Sequence, residues 1–216
     1  MDKAWHNTKL SGTSWQTYRR FSRTPGQHII AQDASGNVLG GVYFVTGHIS
    51  SLEDVPRTYR QVTGRMIGMK PSMNDNTVYC VSVGSDPDAP FKHVGIALVG
   101  RAVLRAYAQG YPYIFAYSRA GDYKEKKKAD PSLTLQKHVD AGNDFTLHKF
   151  HGREYTFKPK GSVVKVLGGS RDNVLVQYDR DAIESWILAN HKNQKVAQWL
   201  KEEAIGVFNG AVRKVG

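Results

Sequence analysis

From His28 onward the chain alternates apolar and polar positions in short runs. The stretch HIIAQDASGNVLGGVYFVTGHI holds two such runs separated by Ser35-Gly36-Asn37, which predicts a pair of strands joined by a tight turn. NTVYCVSVGS, rich in β-branched and aromatic residues and closed by a glycine, predicts another strand. After the turn-rich SDPDAPFK the period changes. Ile96, Val99, Val103, Leu104 and Tyr107 recur at helical spacing from Gly95 to Gln109, with Gly110 placed to stop the helix. YPYIFAYS reads as a strand, AGDYKEKKKADPS as a charged loop, and LTLQKHVDAG as a helix ended by Gly142. DFTLHKFHGREYTF and NVLVQYDR read as strands. The segment SWQTYRRF within residues 1–27 is spaced for a short helix, and SLEDVPRTYRQVTGR is a helix or loop interrupted by Pro56. From Asp181 to Lys214 the pattern is helical, with Asp181 and Glu184 spaced as a capping box.

Hairpins come early and helices separate the later strands, which predicts a mixed sheet with helices packed on it. A chain of 216 residues with 40% hydrophobic content can build one real core. No apolar run is long enough to span a bilayer, and the first residues lack the apolar segment of a secretory signal. Cys80 is the single cysteine, so no internal disulfide framework exists. These features lead us to expect a cytoplasmic protein. The net charge of +11 favours an anionic partner: a nucleotide cofactor, nucleic acid or an acidic protein.

The chemistry concentrates in PFKHVGIALVG. A strand carrying Val81 and Val83 leads through a loop into a helix whose start holds Gly95 and Ala97. Small residues let backbone approach a diphosphate, and the free N–H groups of a helix N-terminus favour that anion. Neither GxxxxGK[ST] nor GxGxxG is present.

The segment KHVGIA resembles the acyl-CoA loop of the GNAT superfamily of N-acetyltransferases, with Lys92 where that signature has Arg or Gln. The preceding strand, the long helix, the aromatic strand YIFAYSR and the later DPSLTLQKHVDAGNDFTLHKF extend the resemblance over residues 28–180. It implies a GNAT-like α/β fold with a mixed, mostly antiparallel central sheet flanked by helices. Residues 1–180 would form the acyltransferase domain. Residues 181–216 would be a helical C-terminal extension packed on it or on a partner, with oligomeric state left open. The resemblance further implies that backbone groups of Val81 and Val83 take the pantetheine arm. Lys92, His93, Val94, Gly95, Ile96 and Ala97 would surround the pyrophosphate of acetyl-CoA or another acyl-CoA. An amine acceptor would attack the thioester directly.

The acid and base are less determined. The late helix has no tyrosine, so His138, Tyr117 and Ser118 are the catalytic candidates, with Tyr123 a further possible acid. The central strand has no carboxylate after Asp75, so no base is identified. Cys80, in an apolar strand, reads as a small buried hydrophobe. His138, His148 and His151 fit no standard zinc spacing, and no metal is expected. The lysines at 124 and 126–128 read either as an electrostatic handle or as a solvated loop. Two alternatives stand beside N-acyl transfer. One is a nucleic-acid-directed modification enzyme on the same fold, of the phage DNA-modification type, resting on charge. The other is a non-catalytic CoA- or nucleic-acid-binding module.

Overall fold

A computed structural model describes residues 27–56, 58, 61–62, 72–89, 93–151, 164–170, 173–181 and 183–184. The alternating runs pair into one six-stranded sheet in the order β1-β2-β3-β4-β6-β5. The strands are β1 (His28–Gln32), β2 (Val38–Gly47), β3 (Thr77–Ser85), β4 (Tyr113–Arg119), β5 (Val164–Ser170) and β6 (Asn173–Tyr178). Every neighbouring pair is antiparallel except β3 and β4, which run parallel. That pair needs a crossover, supplied by helix α1 (Val94–Ala108). Among the described residues, three short helices lie between β4 and β5: α2 (Tyr123–Ala129), α3 (Leu135–Asp140) and α4 (Phe145–His151). This is the GNAT-like mixed sheet expected from the sequence.

Local chemistry fixes the joints. Between β1 and β2, the Asp33 carboxylate accepts the N–H groups of Ser35 and Asn37 at 2.9 and 2.8 Å, and Gly36 takes φ +83°. At the end of α1, Gly110 adopts φ +76°; its N–H bonds the Tyr107 carbonyl, and the Tyr111 N–H bonds that of Ala106. This is a Schellman cap, as the glycine foretold. At Leu52–Asp54 a single 3-10 turn is held by a capping box between Ser51 and Asp54.

Three segments differ from the sequence reading. DYKEKKKA is the helix α2 rather than a charged loop. Tyr123 is buried against the core and Lys126 pairs with Asp122 one turn back, so the lysine run has an inner anchor. DFTLHKFH is the helix α4 rather than a strand. Asp144 caps it: its carboxylate accepts the Leu147 N–H at 2.8 Å, and its carbonyl accepts the His148 N–H. The edge strand β5 has no counterpart among the strands expected from the pattern. The capping box at Asp181 is also displaced: helical residues begin at Arg180, and the Ile183 N–H bonds the Asp179 carbonyl. The expected helix in residues 1–26 and the tail beyond Glu184 lie outside the described residues.

Both faces of the sheet are buried. Val42, Phe44, Val78, Cys80, Ile114, Ala116, Val174 and Val176 pack against Leu98, Val99, Ala102 and Val103 of α1, with Val139 and Leu147 from α3 and α4. The opposite face gathers Tyr43, Val45, Tyr79, Val81, Phe115 and Leu175 under Ile49, Val55 and Val62. Covering both faces fits the nearly unbroken apolar character of β2, β3 and β4.

Strand β3 carries one irregularity. Tyr43 pairs with Ser82 but the next residue, Phe44, pairs with Cys80, so Val81 is an inserted residue. The insertion reverses the alternation. Cys80 belongs to the α1 face and Val81 to the other, yet Val83 packs on the α1 face again.

Candidate functional site

The parallel pairing of β3 and β4 runs from Thr77↔Tyr113 to Cys80↔Ala116 and stops there. The bulge lies one residue further, at Val81. So β3 bends where β4 lets go of it, and among the described residues 81–85 have no partner on the β4 side. The two strands splay, and the gap is a cavity of about 270 Å³. Its walls include Ser82, Val83 and Gly84 from β3, Ser118 and Arg119 from β4, Val99 from α1 and Thr146 from α4. Val81, Tyr117, Cys80 and Ala116 also line it.

The N-terminus of α1 sits beside the open half of β3. A Cβ placed on Gly40 would lie 2.6 Å from the Gly84 carbonyl oxygen and 3.1 Å from Val94 Cγ1. Glycine at 40 thus lets β2, β3 and the start of α1 converge. His93, at the N-cap, takes the left-handed conformation with φ 68°, and its side chain accepts no capping hydrogen bond. The first helical bond runs from the Ala97 N–H to the His93 carbonyl at 3.0 Å. The N–H groups of Val94, Gly95 and Ile96 therefore have no acceptor within the helix, and no acidic residue lies in the first turn. Such an end is suited to an anion. The side chains of His93, Val94 and Ala97 border a separate groove of about 600 Å³ shared with β1. Lys92 lies outside the described residues.

The catalytic candidates fall in different places. Ser118 is on the α1 face and lines the cleft. Tyr117 belongs to the opposite face, where its hydroxyl donates to the Pro56 carbonyl at 2.5 Å. Tyr123 is buried against the core and its hydroxyl donates to the Leu133 carbonyl. His138 is 2% exposed and is absent from the cleft lining. Its Nε2 stands 2.8 Å from Asp144 Oδ2 and 3.2 Å from Asp122 Oδ1. Burial opposes the Asp144 charge, but hydrogen bonds at its carboxylate, among them those from His138 and the Leu147 and Gly121 N–H groups, hold its carboxyl below the usual carboxylate range. The donor atoms of Asp122, His138 and Asp144 lie within 4.8 Å of one another, a set whose types also suit a divalent cation. Here they serve each other, and Asp122 also pairs with Lys126 at 2.6 Å.

Among the described residues that line the cleft there is no carboxylate. Cys80 is 4% exposed, and burial pushes its thiol up to about 12. The lysines of α2 divide: Lys127 donates to the Leu133 carbonyl at 2.7 Å and lies over the Tyr123 ring, whereas Lys124 and Lys128 are exposed. Thr146, absent from the sequence-based candidates, reaches the cleft because DFTLHKFH is helical. Asp144 three residues before a buried Leu147 was the signal for that helix.

No family model matches the chain, and no curated protein matches it. Solved structures do. The loading GNATL domain of CurA from Lyngbya majuscula superposes with a TM-score of 0.58 at 18% identity, covering 83% of this chain and 88% of that chain. The GphF GNAT-like decarboxylase in complex with isobutyryl-CoA gives 0.59 at 16% identity, covering 82% and 90%. Naa20 of Chaetomium thermophilum, in complex with a bisubstrate analogue, matches more loosely, with a TM-score of 0.43 at 14% identity over 83% and 80%. The chain has the GNAT fold. No described helix is long and apolar enough to cross a membrane.

Proposed function

We propose that the chain is an acyl-CoA-dependent N-acyltransferase, with acetyl-CoA the simplest donor and an amine the acceptor. The observation that carries this reading is the splay of β3 from β4 at Val81, which opens a cleft beside the uncapped start of α1. One element offers unpaired backbone to a pantetheine arm, and the adjoining helix offers bare N–H groups to a diphosphate. The GphF neighbour, which holds an acyl-CoA on the same fold, supports it.

In this reading the pyrophosphate rests on the N–H groups of Val94, Gly95 and Ile96, with Lys92, His93 and Ala97 around it. The thioester reaches the cleft, where backbone N–H groups of β3 at Val81 and Val83 polarise its carbonyl. The amine lone pair attacks the carbonyl carbon, the C–S bond breaks, and the departing sulfur takes a proton. In this reading Ser118, which lines the cleft, touches the reacting groups. Among the described residues no carboxylate borders the cleft, so in this reading water takes the amine proton and returns one to the sulfur, and rate comes chiefly from positioning. A buried, protonated thiol at Cys80 disfavours an acyl-cysteine intermediate.

The GphF neighbour supports a second reading, the decarboxylation in its name, a reaction that consumes no amine. The two separate in one assay. Transfer releases free CoA only when an amine is present. Decarboxylation of a carboxyacyl-CoA releases CO₂ and keeps the thioester.

Calorimetric titration with acetyl-CoA, CoA and a short DNA duplex tests the site. Acetyl-CoA and CoA are expected to bind. Gly95→Trp, which fills the start of α1, is expected to abolish both while leaving the circular dichroism spectrum unchanged. Binding of the variant at parental affinity would remove the α1 loop from the site. Binding of DNA alone, weakening steeply with salt, would replace the reading with a nucleic-acid function.

A further inference from the structure

We propose that His138 is a positioning residue: through Asp144 it sets helix α4, and with it Thr146, as one wall of the cleft. The inference rests on the acyl-CoA reading above and adds a part to it. His138 is fully enclosed and stands off the cleft, so it cannot touch a substrate there. Its reach ends at a carboxylate with unusual connections. Asp144 is 0% exposed. It accepts from His138 Nε2 and from the Leu147 N–H, which is the start of α4. It also accepts from the Gly121 N–H, two residues past the end of β4. One buried side chain thus ties α3, the start of α4 and the exit of β4 together.

The tie ends at the cleft. Thr146 is the second residue of α4 and lines the cavity with Ser118 and Arg119. A Cβ on Gly121 would collide with Thr146 Oγ1, so loop and helix are in direct contact where Asp144 joins them. Displacing α4 moves Thr146 away from β4 and widens the cleft on that side. Other charged groups at the cluster are already engaged. Asp122 binds Lys126, and Lys126 donates to the Asn143 amide oxygen at 3.3 Å. The imidazole at 138 thus joins α3 to the carboxylate capping α4.

The experiment uses the full chain and two probes, CoA and a non-hydrolysable acetyl-CoA thioether, titrated by calorimetry into the parent, His138→Leu, His138→Gln, Thr146→Ala and the Leu/Ala double variant. Amide exchange at the Leu147 N–H is measured in parallel. His138→Leu is expected to weaken thioether binding about tenfold, with CoA affinity changed less than about twofold, because α1 is untouched. His138→Gln, whose amide can still donate to Asp144, is expected to recover most of the loss. The double variant should bind like Thr146→Ala alone, since the wall His138 serves is already gone. Leu147 exchange should quicken in His138→Leu and recover in His138→Gln. Equal losses for both probes, or losses that multiply in the double variant, would overturn the assignment. If His138→Leu fails to fold, His138→Asn, too short to reach Asp144, takes its place, and Leu147 exchange unchanged from the parent in that variant would overturn the assignment. A midpoint raised by Zn²⁺ or Mn²⁺ only when Asp122, His138 and Asp144 are all present would make the cluster a cation site instead. A parent that binds neither probe would defeat the acyl-CoA reading itself, and this inference with it. A parent that binds both with no change in any variant would defeat the inference alone.

Discussion

Cys80 shows how one residue can line a cavity and still be inert. It borders the cleft, but burial pushes the thiol up to about 12, so at pH 8 it stays protonated. Ellman's reagent at pH 8 should leave the native chain unlabelled and label one thiol per chain in urea. Rapid native labelling would reopen the acyl-cysteine route. At this scale the sequence was a good guide to type and a poor guide to place. The buried character of Cys80 was legible in its apolar neighbours. The positions of Tyr117 and Ser118 were not, because adjacent strand residues face opposite sides and only the fold says which side holds the cleft. His138 stood out for its titration range, but its partner Asp144 reaches it across a loop that sequence spacing does not resolve.

Helix α1 is the element whose reading from sequence held best, since its period and its closing glycine are both local signals. Gly100 is its weak point. It lies on the exposed face, a Cβ there would meet nothing within 4 Å, and glycine within a helix costs about 0.5–1 kcal/mol against alanine. Gly100→Ala should raise unfolding free energy by about that much, measured in urea with circular dichroism. A loss of stability would mean that the position carries a tertiary contact. Helices α2 and α4 were harder to read because each is a mere seven residues long and is held from outside its own sequence. The alternation in DFTLHKFH mimics a strand, and the deciding term is a single capping carboxylate. Lysines at 124 and 126–128 mimic a solvated loop, and the deciding term is one buried tyrosine. Local propensity loses to tertiary anchoring most readily in such short elements.

At the scale of the whole molecule, the mixed character of the sheet was legible in the order of hairpins and the one long crossover. The bulge was not, because an inserted residue is invisible without its partner strand. Acid stability also belongs to this scale, since Asp144 joins three separate parts of the fold. Its carboxyl is held below the ordinary value, so the folded chain releases that proton more readily than the unfolded chain. The stabilisation is complete above the unfolded value of about 4 and fades as the pH falls through the folded one. Asp144→Asn should therefore cost about 1.5–3 kcal/mol at pH 7, with the deficit shrinking as urea melts are repeated toward pH 3. A deficit that stays constant with pH would show that the charge contributes nothing.

The inserted Val81 has a consequence for how this chain can change over generations. Deleting it would leave Ser82 opposite Tyr43 and Val83 opposite Val42, each on the face it already holds, and would remove only the extra residue. The core would survive that loss and the bend would not, so β3 could run on beside β4 and close the gap. Lineages that shed the residue should therefore hold the sheet and lose the cleft, and its retention marks selection on the opening rather than on the fold.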